Sequence, residues 1–561
     1  MKKPIIRTLI PAGTGALALL LGACVSVSDV HAPTAASAPS TAIYDVRAYG
    51  AVGDGKTLDT DAINKAIDAA AAAGGGTVRF SAGTYASYSI HLKSNITLYL
   101  DQGSTILAAD PPAEGQPGGY DAPEPNPGND RYEDFGHSHW HNSLIWGDGI
   151  QNIAIVGPGR IFGRGLSRGF GPKDQLPGEP RPPRPAFVRP AGPMPDPGYP
   201  NPRDSLAAGI GNKSIALKNC RNVILRDFTI YHGGHFGILA TGTDNFTIDN
   251  LKIDTNRDGM DIDCCQEVRI ANCTVNSPAD DGICLKSSYG LGSARPCENI
   301  TITGCQVSGF LEGTFLDGTR KVGPRGGGTG RIKFGTEGNG GFINIAISNC
   351  VFDSCLGLAL ETVDGALLED VAVNNLTMRN IVDAPIFLRL GARLRGPAAT
   401  TKVGTLRRVT ISNVVAHNVD ARNGILIAGL PGYAIEDLSL SHIKIDYKGG
   451  GTAAQADRAV PEDEKAYPEP GRFGIIPSYG MFARHVHGLS VDHLELSYAG
   501  SEQRPAMILD DVADADIDNL RAQHDPAAAS IVLKNVNGFV IRNSPGLPDT
   551  RRDQPVANEK L

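Results

Sequence analysis

A six-residue pattern (apolar, any, apolar, any, Asn-like, apolar) recurs along most of the chain. Copies stand at VILRDF (223–228), FTIDNL (246–251), VRIANC (268–273), ITITGC (300–305), IAISNC (345–350), VAVNNL (371–376), VTISNV (409–414) and LSLSHI (438–443), with later ones at 489–494 and 515–520. Each reads as a strand of period 2 with β-branched residues facing inward. The shortest spacings between copies are 22 and 23 residues. A repeat of that length without helical periodicity predicts an all-β parallel solenoid. One unit cannot bury its apolar face alone, and stacking on its neighbours does so.

The fifth position of the repeat holds Asn250, Asn272, Asn349, Asn375, Asn413 and Asn519. This column predicts an asparagine ladder at a turn, amide bonded to amide from coil to coil. Cys273, Cys305 and Cys350 fill the sixth position and read as small apolar core residues. A second, glycine-led strand follows in each coil, as in GILATG (237–242), GMDIDC (259–264), GICLKS (282–287), GLALET (357–362) and GILIAG (424–429). Residues 60–73 carry a helical pattern closed by Gly74-Gly75-Gly76, expected to cap the open end of the solenoid. Pro-rich stretches near 111–130 and 171–205 cannot be central strands and predict long loops beside the coils. Residues 546–561 read as a C-terminal tail.

The length of 561 residues would ordinarily make two or three domains, but a solenoid grows in one dimension, so residues 41–545 are expected to form one. A net charge of −8 over this length offers no case for nucleic-acid binding. Residues 1–24 resemble an export signal, with Lys2, Lys3 and Arg7 before an apolar stretch ending in Leu21-Gly22-Ala23-Cys24. That ending is similar to a bacterial lipoprotein signal, with Cys24 as the lipidated residue, and residues 25–40 read as a flexible tether. The expected location is the periplasm or a lipid anchor on the outer membrane, with secretion as the alternative. Membrane contact is expected only through that anchor.

Counted from the first residue of each strand copy, His235, Asp258 and Asp280 all stand at offset 12, with Asp281 next. Equal offset in a solenoid predicts equal direction, so these groups are expected at one height on one side. Stacked carboxylates repel one another, and stability alone does not select them. Glycoside hydrolysis does need two carboxyl groups in different environments. One gives its proton to the leaving oxygen and the other, ionised, activates water. Crowding raises the pKa of one and so supplies the acid. Two blander readings compete: Asp-Gly turn chemistry at 258–259 and 281–282, and a calcium site. The aligned set favours a reaction site over either.

With these residues in view, the chain resembles glycoside hydrolase family 28, the polygalacturonase-like pectin hydrolases. NRDGMDID and ADDGICLKSS, within 256–288, carry the resemblance. The opening YDVRAYGAVGDGKTLDTDAINKAI (44–67) is similar to the start of many pectin-degrading β-helices, and the likeness covers roughly 41–545. It implies a right-handed, pectin-lyase-like parallel β-helix acting as a monomer on pectic polysaccharide without cofactor or metal. It implies hydrolysis with inversion, Asp280 as general acid, and Asp258 and Asp281 activating water. Arg257 stands where the family has threonine, and Lys286 resembles a lysine of exo-acting bacterial members.

Two departures matter. Thr329 takes the place of the histidine in the family's G-H-G motif. Glu361 stands where the family's R-I-K motif, which holds the substrate carboxylate, has lysine. Arg331 and Lys333 form an R-I-K string one coil earlier, and Arg389 lies one coil later. Candidate substrate contacts are therefore His235, Asp263, Lys286, Arg331, Lys333, Glu361 and Arg389. The departures point towards rhamnogalacturonan or another decorated or uronic-acid-containing glycan. The run His137-Ser138-His139-Trp140-His141 lacks zinc spacing and is expected in a loop at the cleft, with Trp140 free to stack on sugar. A polysaccharide lyase and a non-catalytic glycan-binding solenoid are the rival functions.

Overall fold

In a computed structural model of the chain, residues 42–113, 115–126, 129–133, 137–168 and 207–561 are described. The expected export signal, Cys24, the expected tether and the Pro-rich stretch near 171–205 lie outside these residues. Strands of successive coils pair in parallel. Phe236–Thr241 pairs with Asp258–Asp263, which pairs with Ile283–Ser287, and the stack continues through Ile332–Gly338, Leu358–Thr362 and Ile386–Leu390. This stack is called the front sheet below. Arg221–Arg226, Asp244–Asp249, Gln266–Ala271 and Cys297–Thr303 form a second stack, and Thr229–Tyr231, Lys252–Asp254, Thr274–Asn276 and Gln306–Ser308 a third. From Phe342 onwards the second and third strands fuse, as in Phe342–Asp353 and Leu367–Arg379.

The repeat's apolar positions become columns. Val223, Phe246, Val268, Ile300, Ile345 and Val371 stack in register and are buried. A fully buried side chain of this kind contributes about 1.5–3 kcal/mol, so the fold is held by columns rather than by any one coil. All nine cysteines of the described residues are buried and unbonded to one another, as core positions.

The asparagine column is a corner. Asn250, Asn272, Asn349, Asn375, Asn413 and Asn519 have φ between 53° and 57°, the left-handed region in which asparagine is tolerated. Asn375 Nδ2 donates to Asn349 Oδ1 at 3.1 Å, while Asn250 and Asn272 donate to Asp227 and Asp249 of the preceding coil. A second ladder, Asn152–Asn222–Asn245, marks another corner. Sequence reasoning missed it, although an asparagine precedes several copies of the strand pattern.

The helix Thr60–Ala72 buries Ala62, Ile63, Ala66, Ile67 and Ala70 against the first coils. The other end corrects an expectation. Residues 546–561 do not run loose: Thr550–Arg552 and Val556–Lys560 pair antiparallel with Ile531–Arg542. The physical reason is the unpaired edge of the last coil, which these strands cover.

The outward face of the front sheet changes character along its length. The register places Asp261, Cys284 and Lys333 in one outward column, continued by Ala359, Phe387, Leu426 and Phe482. The apolar part is covered by residues 448–480, whose Phe473 and Ile476 pack on it. At the other end Trp140 packs on Ala216, Phe236 and Leu239. Between these covers lies a polar stretch that carries Asp261, Lys286, Lys333 and Glu361.

Candidate active site

Asp258 begins the strand Asp258–Asp263, and Asp280-Asp281 close the turn before Ile283–Ser287. The register corrects the offset count. Phe236 lies opposite Asp258, and Met260 opposite Ile283, which sets Asp258 against Asp281. His235, Arg257 and Asp280 form the neighbouring column. Strand copies 223 and 246 align 23 residues apart while the front strands that follow align 22 apart. The turn between absorbs the extra residue, and the count from the second stack slips by one.

The carboxylates converge all the same. One oxygen each from Asp258, Asp280 and Asp281 lie within 4.8 Å of one another. Asp281 is buried and held by Arg331 Nε at 2.8 Å and Lys333 Nζ at 3.4 Å. Asp280 faces Arg257 Nη1 at 2.7 Å and keeps 24% of its side chain exposed, so it is the aspartate a ligand reaches most easily. Asp258 is buried, with His235 Nε2 3.9 Å away.

These surroundings split the three groups. Burial pushes Asp281 up, but Lys333 and Arg331 outweigh it and hold the group below its ordinary range. Burial raises Asp258 strongly, and the charges of Asp261 and Asp280 add to this. Burial also raises Asp280 against the pull of Arg257. Asp258 and Asp280 therefore titrate as a pair that holds a proton to higher pH than a free aspartate, beside an ionised Asp281. His235 is kept neutral by burial and then by Arg257.

Other expected residues fall into two groups. Lys286 lies 2.9 Å from Glu337 and 3.7 Å from Asp261, in the site. Arg331 and Lys333 both reach Asp281, and Lys333 also lies 3.7 Å from Glu361. Glu361 is fully buried and burial raises it to about 7 against Lys333 and Arg331. Asp263 does not reach the site: it is buried and accepts from Ser288 N at 2.8 Å and Ser288 Oγ at 2.6 Å, a turn role. Arg389 is also turned away, donating to the carbonyls of Gly429, Glu462 and Asp463.

Trp140 corrects another expectation. It is fully buried, donates from Nε1 to Thr241 Oγ1 at 3.0 Å, and cannot stack on a ligand. Apolar packing on the front sheet wins over exposure. Its neighbour His137 reaches Asp261 at 2.8 Å. On the far side, Glu469 accepts from Arg331 at 2.7 Å and Tyr467 Oη lies 3.3 Å from Lys333. The site is thus walled by His137 and Trp140 on one side and by Tyr467 and Glu469 on the other. Sequence reasoning missed Arg257, Glu337, Tyr467 and Glu469 as site residues. Only Arg257, beside the aspartate motif, carried a signal that could have found it.

A cation site is an alternative use of three converging carboxylates. Here Arg257 already pairs with Asp280, and Arg331 and Lys333 with Asp281, which disfavours it.

Comparison with known proteins agrees with the fold. Residues 203–323 match the family model "Right handed beta helix region", and residues 43–155 match "Rhamnogalacturonase A/epimerase, pectate lyase-like". An exo-poly-alpha-D-galacturonosidase of Dickeya chrysanthemi is 24% identical over 385 residues, 65% of this chain and 59% of that protein. A probable polygalacturonase of Vitis vinifera is 23% identical over 351 residues, 59% of this chain and 60% of that protein. The chain thus matches about three-fifths of the length of these curated relatives. Among solved structures, an exopolygalacturonase of Thermotoga maritima aligns over 82% of this chain and 92% of its own, with a TM-score of 0.55 and 18% identity. A family 28 exopolygalacturonase of Yersinia enterocolitica aligns over 87% and 79%, with a TM-score of 0.56 and 18% identity. These likenesses place the chain on a right-handed parallel β-helix and make it similar to family 28 exopolygalacturonases.

Proposed function

We propose that this chain is a glycoside hydrolase of pectic polysaccharide or oligosaccharide. The observation that carries the reading is three convergent aspartates, two sharing a raised pKa and the third held ionised. In this scheme Asp280, the most exposed of the three, protonates the leaving glycosidic oxygen. With the shared proton on Asp280, Asp258 and Asp281 are both carboxylates and orient the attacking water. Arg257 positions Asp280, and Arg331 with Lys333 keep Asp281 charged. The two walls support attack from a chain end, and the relatives named as exo-acting enzymes agree with this. Incubation with a panel of pectic substrates, read by reducing ends and product length, tests the proposal. An unsaturated product absorbing near the ultraviolet edge would mean a lyase. Binding without any new reducing end would mean a glycan-binding solenoid.

The resemblance favours inversion; retention is the alternative stereochemical outcome, and it needs a carboxylate close enough to attack the anomeric carbon. In the retaining scheme Asp258 or Asp281 attacks the anomeric carbon and the glycosyl-enzyme bond is then hydrolysed. Proton NMR of the first-formed anomer separates the two: the opposite anomer to the substrate means inversion, the same anomer retention.

The export reading of residues 1–24 is also a proposal: export with lipidation at Cys24 places the enzyme where extracellular glycan fragments arrive. Mass spectrometry of the mature N-terminus tests it.

A further inference from the structure

We propose, resting on the hydrolase reading, that the sugar seated against Asp280 is a neutral residue and not a uronate. The cations nearest the aspartates are already matched by protein carboxylates. Arg257 faces Asp280 at 2.7 Å; Lys286 faces Glu337 at 2.9 Å and Asp261 at 3.7 Å. Arg331 is shared by Asp281 at 2.8 Å and Glu469 at 2.7 Å. Lys333 is shared by Asp281 at 3.4 Å and Glu361 at 3.7 Å. Glu337 is also held by Arg395 at 2.7 Å, so five cations face seven carboxyl groups once Asp258 is counted, and each of these cations already has a carboxyl partner. A uronate entering here must displace a protein carboxylate from its cation or sit as a further like charge in a desolvated site.

A second observation points the same way. Both carboxyl oxygens of Glu361 are buried and lack a hydrogen-bond partner. Burying such a group unsatisfied is costly, and carboxylates accept hydrogen bonds that sugar hydroxyls donate. A site rich in acceptors and poor in unmatched cations suits a hydroxylated neutral ring. Uronates in the same glycan then fall on the leaving-group side of the scissile bond.

Calorimetric titration of Asp280→Asn with α-1,4-trigalacturonide, and with the same trimer after carboxyl reduction to the neutral galactose form, tests this. The substitution removes a negative charge and so biases the test towards the uronate. The expected result is at least tenfold tighter binding of the reduced trimer. Equal or tighter binding of trigalacturonide, or binding of neither, overturns the proposal. A second variant, Glu469→Gln, alters only a part-exposed residue of the covering loop and releases Arg331. It is expected to raise trigalacturonide affinity severalfold more than that of the reduced trimer; equal effects on both overturn the charge argument. Hydrolysis by the native protein is scored separately on the pectic panel. Preferential binding of the reduced trimer without hydrolysis of any glycan would leave this proposal standing and remove the hydrolase reading. Hydrolysis with a uronate preference would do the reverse.

Discussion

Arg331 Nε donates to Asp281 Oδ1 at 2.8 Å inside a buried site, and this pair, with Lys333 on the other oxygen, keeps one of three crowded aspartates ionised. Removing one partner of a buried pair costs about 3–5 kcal/mol because the other charge is left uncompensated. Arg331→Ala is therefore expected to lower the stability of the chain by that order. Asp281 is depressed in the folded state, so its contribution is present above the unfolded carboxylate range and is lost as pH falls through its folded value. The variant should shift the acid limb of the pH–rate profile to higher pH. An unmoved acid limb would detach Asp281 from the chemistry.

Asp280→Asn is expected to lower turnover about 10²–10⁴-fold, the usual weight of a general acid, with the circular dichroism spectrum unchanged. Under the hydrolase reading the native protein should lose activity as pH rises through the raised apparent pKa of the Asp258/Asp280 pair. A full-length, folded Asp280→Asn protein with native turnover would exclude this residue as the acid.

Glu361 offers a stability test independent of catalysis. Its folded value is about 7 against an ordinary 4.5. Stability from the neutral form is fully present below the ordinary value and is lost as pH rises through about 7. Glu361→Gln should match the native stability near pH 4 and exceed it above neutrality by roughly 1–3 kcal/mol. Parallel melting curves across pH would show that the group is ionised throughout.

Trp140 anchors one wall of the site by packing on Ala216, Phe236 and Leu239. Trp140→Ala should cost about 3–5 kcal/mol in denaturant unfolding if that wall unfolds with the coils. It should also lengthen the shortest products, because a loosened wall admits longer chains past the aspartates. Native stability would mean that the loop is not coupled to the helix.

Removal of residues 546–561 takes away both strands that cover Ile531–Arg542. The exposed edge is a template for pairing with another chain. The truncated protein is expected to elute as larger species in size-exclusion chromatography, and a monodisperse monomer would show that the edge needs no cover.

The strand pattern was readable because a solenoid repeats one local rule: a period-2 apolar set, an asparagine able to adopt positive φ, and a glycine-led second strand. The front strands fall where their glycines place them, and the helix Thr60–Ala72 where its alanines do. Asp258, Asp280 and Asp281 were legible for the same reason. Their exact pairing was not, since a single extra turn residue moved His235 out of line with Asp258. Trp140 was misread because an aromatic in a histidine-rich loop carries no local sign of which surface it will cover.

The sequence by itself determined the architecture, the corners and the clustering of aspartates on one side, because each follows from residues a fixed number of positions apart. Only the tertiary structure decided the charge partners. Glu469 meets Arg331 from 138 residues away, and His137 meets Asp261 from 124 residues away. Such encounters are set by insertions that seek the apolar parts of the front sheet, and no local spacing encodes where a long loop comes to rest. The charge surroundings of the aspartates follow from those encounters.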